Sequence, residues 1–579
     1  MKIIIEILLS LAVVPKVVEA QETNNIIGYN VINLLNASES MGVVVDDVTY
    51  PMSLNSTNGT DILYSGDAPV AKSNYKYVRF FSNQSSVTEP FDRQPSTEDT
   101  PNEFFNRTWN TYDVSRLPII YPPLPAIHRI TTELHKPGQI PTIHIVGNQT
   151  MMDEMHQNST EDFTVVTNAS YVGLHDVFSF QKAELSLAGR SSRWLPKLSY
   201  NLKFSGKDML YSNSRIKLRS MDTDPSYIRE QLAYDMVNCT GLASSGFSFI
   251  RVFMNDHELG LFGIIETFHD NWVADTFGGG DPKYKNGYLY QGVFQTPASA
   301  AVNLTADLRY VDNITTYGLG QYQIKESAAK GKSVNWKPLQ ELTKFIANAP
   351  TNTPDAVNEW NKHLDTASVL RGMALEVLLG YADGYLALVD NYYVYQDLDT
   401  KNYFWIPSDM DLTFGSTMFK LEDMWSGNYS TFPGMNIRPL TKQILKVPEF
   451  QQTYNHLLLD ISNTLVNPDQ TYRYISDLVN MISEDVAWDQ GLVRAGESIM
   501  AEQTPGTSEG DTTSVIEAVL GNAIPGDMDK ATAENFASRI NATIPFMTAV
   551  NGPTGYISLA GVVQWIDAIH QNITKFYSN

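Results

Sequence analysis

Tyr381–Gly415 reads YADGYLALVDNYYVYQDLDTKNYFWIPSDMDLTFG, and the fold of the chain turns on this stretch. One carboxylate, Asp383, follows a helical pattern, and an amide, Asn391, opens a β-like run. The polar turn DLDTK joins NYYVYQ to NYFWIPS, and two further carboxylates, Asp409 and Asp411, stand just past the second run. Loops that deliver carboxylates and an amide to one edge of a scaffold suit a hard cation. Mg²⁺ takes oxygen ligands and is usually held by one or two protein carboxylates together with substrate phosphates.

The segment before this stretch is a helix with clear ends. Asp365 precedes TASVLRGMALEVLLG, whose Leu370, Met373, Ala374, Val377 and Leu378 share a face and whose Gly380 is a C-terminal stop. Far upstream, RIKLRS sets Arg215, Lys217 and Arg219 on one face of a strand and Ile216 and Leu218 on the other. Three aligned cations suggest an anion site, with a solvated strand face as the alternative. A helix is expected to follow, with Asp224 as N-cap, Pro225 at its first position and Gly241 beyond its end. Its stripe is Ile228, Leu232 and Met236, with Arg229 near the middle and Glu230 at the edge. A Glu here paired to Lys217 would hold the ammonium for nucleotide phosphates; ordinary helix-flank charges are the alternative. Gly189-Arg190-Ser191-Ser192-Arg193 precedes this strand and reads either as a phosphate cradle or as a plain hairpin turn. FSFIRVFM and LGLFGIIET form a hairpin across Asn255–Glu258.

The order is therefore a lysine strand, a helix bearing Glu, a hairpin and a connector. A helix then leads to a loop Asp, an Asn, another hairpin and a post-strand Asp. Protein kinases order their parts this way, with the loop Asp receiving the substrate hydroxyl proton and the Asn and last Asp holding metal. Departures are plain: no HRD precedes Asp383, and Asp409-Met-Asp411 stands in place of D-F-G. Asp409-Met-Asp411 also looks like the DxD of nucleotide-sugar glycosyltransferases, although no doubly wound βαβ pattern precedes it. The histidines show no HExxH.

The blocks IKLRSMDTDPSYIREQLAYDM, FIRVFMNDHELGLFGIIE and ADGYLALVDNYYVYQD with YFWIPSDMDLTFG resemble the CotH (spore-coat protein H) kinase family, a group of atypical secreted or spore-associated kinases with fungal members. The resemblance covers about residues 170–450. It implies ATP- and Mg²⁺-dependent phosphorylation of protein Ser/Thr, with Mn²⁺ as an alternative metal. Asp383 would be the catalytic carboxylate. By the resemblance Asn391 and Asp409 would be metal ligands and Lys217 would bind phosphate. The residues themselves add Asp411 as a second-rank ligand or loop-fixing residue, and Arg190, Ser191, Arg229 and Glu230 as candidates to serve the nucleotide. Partners would be a protein substrate and, for invasin-type members, a host-cell surface protein. Those members carry a polar segment after Asp-Gly-Tyr, where this chain reads the more apolar LALVDNYY.

Composition narrows the rest. The chain has 579 residues and a net charge of -23, which disfavours broad binding to nucleic acid or anionic membrane. MKIIIEILLSLAVVPKVVEA reads as a signal peptide, no later run is long enough to span a bilayer, and NITKFYSN lacks the apolar tail of a lipid-anchor signal. With 14 Asn-x-Ser/Thr sequons, the expectation is an exported glycoprotein, in the medium, the cell wall or a spore surface. The single cysteine, Cys239, forms no intrachain disulfide and reads as a small apolar residue near a helix end. The expected fold is α+β: a kinase-like two-lobe arrangement with a β-rich N-lobe (126–300) and a mostly helical C-lobe (301–579). A signal peptide (1–20) and a small antiparallel β domain (21–125) precede it. A prolyl linker, RLPIIYPPLPAIH, joins the β domain to the lobes, and QTPGTSEGDTT reads as a late loop.

Overall fold

The computed structural model describes residues 25–55, 59–328, 334–496, 528–540 and 542–577; the side chain of Ser191 is outside what it describes. The expected signal peptide and the loop QTPGTSEGDTT lie outside these residues. The architecture is mixed α and β, with three sheets and a set of helices.

Residues up to Asn55 and from Ile62 to Thr108 form one compact unit. Its strands are β1 (Ile26–Ile32), β2 (Ser40–Val45), β3 (Val48–Leu54), β4 (Leu63–Pro69), β5 (Tyr75–Phe80), β6 (Ser86–Thr88) and β7 (Glu103–Phe104). They join in the order β6-β5-β2-β3-β4-β1-β7, antiparallel except for the short β1/β7 pair. Alternate residues such as Tyr29, Val31, Tyr75 and Tyr77 point inward to one core. The unit closes at Thr108, short of the 125 expected from composition.

Trp109 onward belongs to a second unit. The prolyl stretch 116–128 is built into it: Leu117 and Leu124 are buried, and the Ile120 and Leu124 N–H groups donate to the carbonyls of Cys239 (2.9 Å) and Gly241 (3.0 Å). Next comes a closed barrel of β8 (Thr142–Gly147), β9 (Thr164–Val172), β10 (Val177–Leu187), β11 (Tyr200–Lys203), β12 (Arg215–Arg219), β13 (Phe247–Met254) and β14 (His257–Glu266). Ile216, Leu218, Ile250, Val252, Phe262 and Ile264 fill its interior, and Lys217 therefore faces away from that core. A separate four-stranded sheet runs β16-β15-β17-β18, from β15 (Tyr288–Gly292), β16 (Tyr322–Glu326), β17 (Tyr392–Gln396) and β18 (Tyr403–Pro407). The sheets thus change between β14 and β15, ahead of the expected boundary at 300.

Among the described residues the helices of nine residues or more are α1 (Gln149–Gln157), α2 (Arg229–Cys239), α3 (Lys337–Asn348), α4 (Thr366–Leu379), α5 (Pro448–Thr464), α6 (Pro468–Gln490), α7 (Lys530–Arg539) and α8 (Val562–Tyr577). Among the described residues no helix is long and apolar enough to cross a membrane. Two helices test the end signals read from sequence. α4 runs as expected, with the Asp365 carboxylate accepting from Ser368 N–H and Gly380 in the left-handed conformation. α2 starts later than expected, at Arg229. Asp224 spends its carboxylate on a tight turn, accepting from Ser226 N–H (2.9 Å) and Ser226 Oγ (2.6 Å), and Tyr227 takes a left-handed φ of 58°. The same carboxylate reaches Arg229 N–H at 2.9 Å, so it still satisfies a helix-end donor from outside the helix. Cys239 ends α2 buried, as expected of a small apolar residue near a helix end, and burial pushes its thiol up to about 12.

Gly380→Ala should destabilise the chain. Its φ of 63° alone costs an L-residue roughly 1–2 kcal/mol. An added Cβ would also lie 2.3 Å from the ring of Trp565, which donates to Leu378 O at 2.9 Å. Urea unfolding of the variant should show that loss or more; an unchanged midpoint would contradict this account of the α4 terminus.

Candidate functional site

Four chain segments meet in one cleft. β12 contributes its cationic face, α2 contributes Glu230, the turn after α4 contributes Asp383 and Asn391, and the segment after β18 contributes Asp409 and Asp411. One phenol joins two of them. The buried Tyr381 hydroxyl lies within hydrogen-bond reach of Ser408 O, Asp409 O (2.9 Å) and Asn391 O (3.3 Å) and donates its one proton among them, tying the loop before β17 to the loop after β18. Asp409 N–H donates to Tyr234 Oη on α2 at 2.9 Å. Glu376 in α4 accepts from Leu386 N–H at 2.8 Å and so ties the 383–391 loop to its helix; burial pushes its carboxyl up to about 8.

Two of the cations of β12 share Asp409. Lys217 Nζ lies 3.1 Å from Asp409 Oδ2. Arg219 lies 2.9 Å from Glu230 through Nε, and through Nη2 it lies 2.5 Å from Asp409 and 3.2 Å from Asp411. The expected pairing of a helix Glu with Lys217 is therefore corrected: Glu230 pairs with Arg219. The late start of α2 puts Glu230 in the first turn, beside the far end of β12. Thr223 Oγ1 fixes Asp411 by a further 2.7 Å bond.

Asp383 and Asn391, eight positions apart, come together, and Asn391 Nδ2 donates to Asp383 Oδ2 at 2.8 Å. Asp383 Oδ1 is buried without a hydrogen-bond partner. Arg190, on the β10–β11 connection, reaches across to Asp390 (2.5 Å) and to Val293 O (3.0 Å). The GRSSR segment contains a 3₁₀ turn (Ser191–Trp194), so it is not a plain hairpin turn. Arg229 is placed elsewhere. It is fully buried, bonds to Asp224, to Ser226 Oγ (2.9 Å) and to Ala560 O (2.7 Å), and serves the packing of α2.

Electrostatics separate the carboxylates. Burial pushes Asp383 well above the usual carboxylate range, and the charges of Asp411, Asp409 and Asp390 add to the rise. Burial would raise Asp409 too, but Arg219 and Lys217 outweigh it and hold that carboxyl at about 2. Asp411 stays raised, because burial exceeds the pull of Arg219. Burial pushes Glu230 up to about 7 despite Arg219, in keeping with a buried Oε1 that has no partner. Neighbouring carboxyls whose environments drive them apart are a common mark of a working site.

The donor set fits a hard divalent cation. It offers oxygen ligands only, one of them an orphaned buried carboxylate oxygen at Asp383. Among the described residues no group of three His, Cys, Asp or Glu is set to hold a metal ion. A cation held here would therefore need further oxygens, as Mg²⁺ at nucleotide sites does. Sequence reading did not single out Asp390, Thr223 or Tyr381, and it treated Arg219 only as one cation of the strand. The signal for Arg219 was present in its two-residue spacing from Lys217.

The family model described as CotH kinase protein matches residues 185–495, more than half of the chain. Invasin CotH2 of Rhizopus delemar is 25% identical over 471 residues, covering 79% of this chain and 74% of that protein. Invasin CotH3 of the same fungus is 24% identical over 472 residues, covering 80% and 74%. Inner spore coat protein H of Bacillus subtilis is 26% identical over 280 residues, covering 48% of this chain and 71% of its own length.

Arg219→Met would leave Glu230 buried without its cation and would remove a partner from both Asp409 and Asp411. Breaking a buried pair from one side costs about 3–5 kcal/mol. Denaturant unfolding should show that loss, and Arg219→Met/Glu230→Met should recover part of it. A single variant as stable as the parent would show that the guanidinium is not holding the cluster.

Proposed function

This chain belongs to the CotH kinase protein family, and from that premise we propose that it is an atypical protein kinase, transferring the γ-phosphate of ATP to Ser or Thr of exported or surface proteins. The observation that carries the reading is the convergence of Asp383, Asn391, Asp409 and Asp411 on a cleft whose other wall is the Lys217/Arg219 strand. In this reading the barrel is the β-rich lobe and the residues after it are the helical lobe. Residues 1–20 direct export, and the chain works at a cell surface, spore coat or wall.

Each residue then has a task. Asp409, Asp411 and the Asn391 side-chain oxygen would hold Mg²⁺ or Mn²⁺, and the bound ion would neutralise charge on the transferring phosphoryl group. Lys217, tethered to Asp409, stands where it can also reach a phosphate oxygen. Arg219 keeps Asp409 ionised and is itself held by Glu230. Asp383 is positioned by the Asn391 amide, with Oδ1 left over to accept the proton of the attacking hydroxyl. Arg190 bridges the cleft to Asp390 and would meet the nucleotide from the barrel side.

A second reading is favoured by relatives that carry the name invasin: a surface protein that engages a host cell, on the same scaffold. One assay separates the two. Purified protein with Mg²⁺ and γ-labelled ATP should incorporate label into an acceptor protein, and ATP with Mg²⁺ should raise its melting temperature. Asp383→Ala should cut transfer by about 10²–10⁴-fold, the range for losing a positioned acid–base group, and Asp409→Ala should also cut it by removing a metal ligand. Folded protein that neither binds ATP nor transfers phosphate would overturn the kinase reading and leave the binding one.

A further inference from the structure

The cleft is not electrically balanced from end to end. β12 presents Arg215, Lys217 and Arg219 on one face, each about 7 Å from the next. Lys217 and Arg219 are neutralised by Asp409, Asp411 and Glu230. Arg215, at the end away from those carboxylates, makes no ion pair among the described residues, and its Nε is buried without a hydrogen-bond partner.

A fourth cation joins it from the other sheet. Lys325 lies on β16, where the register runs Leu289 to Glu326 and then Tyr290 to Ile324. Lys325 is the extra residue of that bulge, a device that re-aims a side chain. Its ammonium donates only to a neutral group, Gln323 Oε1 at 2.8 Å, and makes no ion pair among the described residues. A polar bridge brings the two strands together beside it: Ser214 Oγ donates to Asp270 Oδ2 (3.0 Å), and Asp270 N–H donates to Glu326 Oε1 (2.8 Å). Arg215 and Lys325 are thus the chain neighbours of the bridge's two ends, while the nearby carboxylates of Asp270 and Glu326 take part in the bridge itself. Burial, then Lys217, Arg215 and Arg190, pull the Lys325 ammonium down to about 8. Partly buried cations that form no ion pair lack a direct counter-charge, and a ligand can supply one.

We infer that Arg215 and Lys325 form a phosphate subsite beside Lys217, taking the part of a bound polyphosphate furthest from Asp409. The inference rests on the nucleotide reading above and names residues for it that the family resemblance did not. The lysine comes from the sheet that carries Asn391 and the arginine from the barrel, so an occupied subsite would also hold the two walls of the cleft together.

The test uses inorganic tripolyphosphate, followed by calorimetry on the full chain. Parent protein should bind it at pH 7, and Lys325→Met and Arg215→Met should each weaken binding about tenfold, the effect of losing one charge-assisted contact. Lys325→Arg should keep it. The lowered lysine is charged below pH 8 and neutral above, so parent affinity should fall relative to Lys325→Arg between pH 7 and 9. That comparison cancels the titration of the probe and would not respond to a merely structural role. Parent-like binding by both methionine variants overturns the subsite, and if ATP is still turned over the kinase reading survives. Tripolyphosphate binding that depends on Lys325, with no ATP binding, supports the subsite and overturns the nucleotide. Absence of any anion binding overturns both.

Discussion

The Arg219 guanidinium is the interaction on which the cleft depends. It touches Glu230 from α2 and Asp409 and Asp411 from the loop after β18, so one side chain links barrel, helix and loop. It is only 6% exposed, and taking that much charge out of water is costly. Buried ion clusters are often no more stable than packed apolar residues of the same volume. Position is what the ionic cluster supplies: each carboxylate is aimed, and Asp409 is held low by its cations close to two others that burial raises. Arginine suits the task better than lysine, because its fixed fork addresses three oxygens without a change of rotamer.

Apolar packing makes that aim durable. α4 is buried along nearly its whole length and ends at a left-handed glycine, which turns the chain abruptly into Tyr381. Tyr381 then ties together both loops that carry the carboxylates, and Glu376 holds the intervening turn by its N–H groups. Asn391 and Asp409 both sit at positive φ, 55° and 57°. Such backbone is unfavourable for a residue with a side chain and persists where the surroundings over-determine it. The burial of α4 and the Tyr381 phenol provide that determination.

Local signals in the sequence were reliable where a single element decided the outcome. Period-two alternation placed Ile216 and Leu218 in the barrel and the three cations outside it, and Asp365 and Gly380 marked both ends of α4. The Asp383-to-Asp409 hairpin could be read for the same reason, since its turn residues and β-branched or aromatic runs are local. What could not be read was which partner each charge would meet. Asp224-Pro225 is an ordinary helix start on paper. The Asp carboxylate instead built a turn, the helix began later, and Glu230 moved from Lys217 to Arg219. Arg229, equally suggestive in sequence, was drawn to the carbonyl of Ala560, more than three hundred positions away. Lys325 gave no signal, because its importance comes from a bulge and from neighbours on another sheet.

The division of charge within the cleft also bears on how an anion would reach it. The chain carries a net charge of -23, so a polyphosphate approaches against a repulsive field. Screening confines that field to about 8–10 Å at physiological salt, so the last few ångströms are governed by local groups. There Lys325 feels the cations Lys217, Arg215 and Arg190, whereas Asp383 feels chiefly the carboxylates Asp411, Asp409 and Asp390. An anion entering from the cationic end meets attraction before it meets a carboxylate. The reverse order would place three carboxylates in its path. Two of the cations are left without carboxylate partners, and this arrangement gives entry a direction that a fully paired cleft would lack.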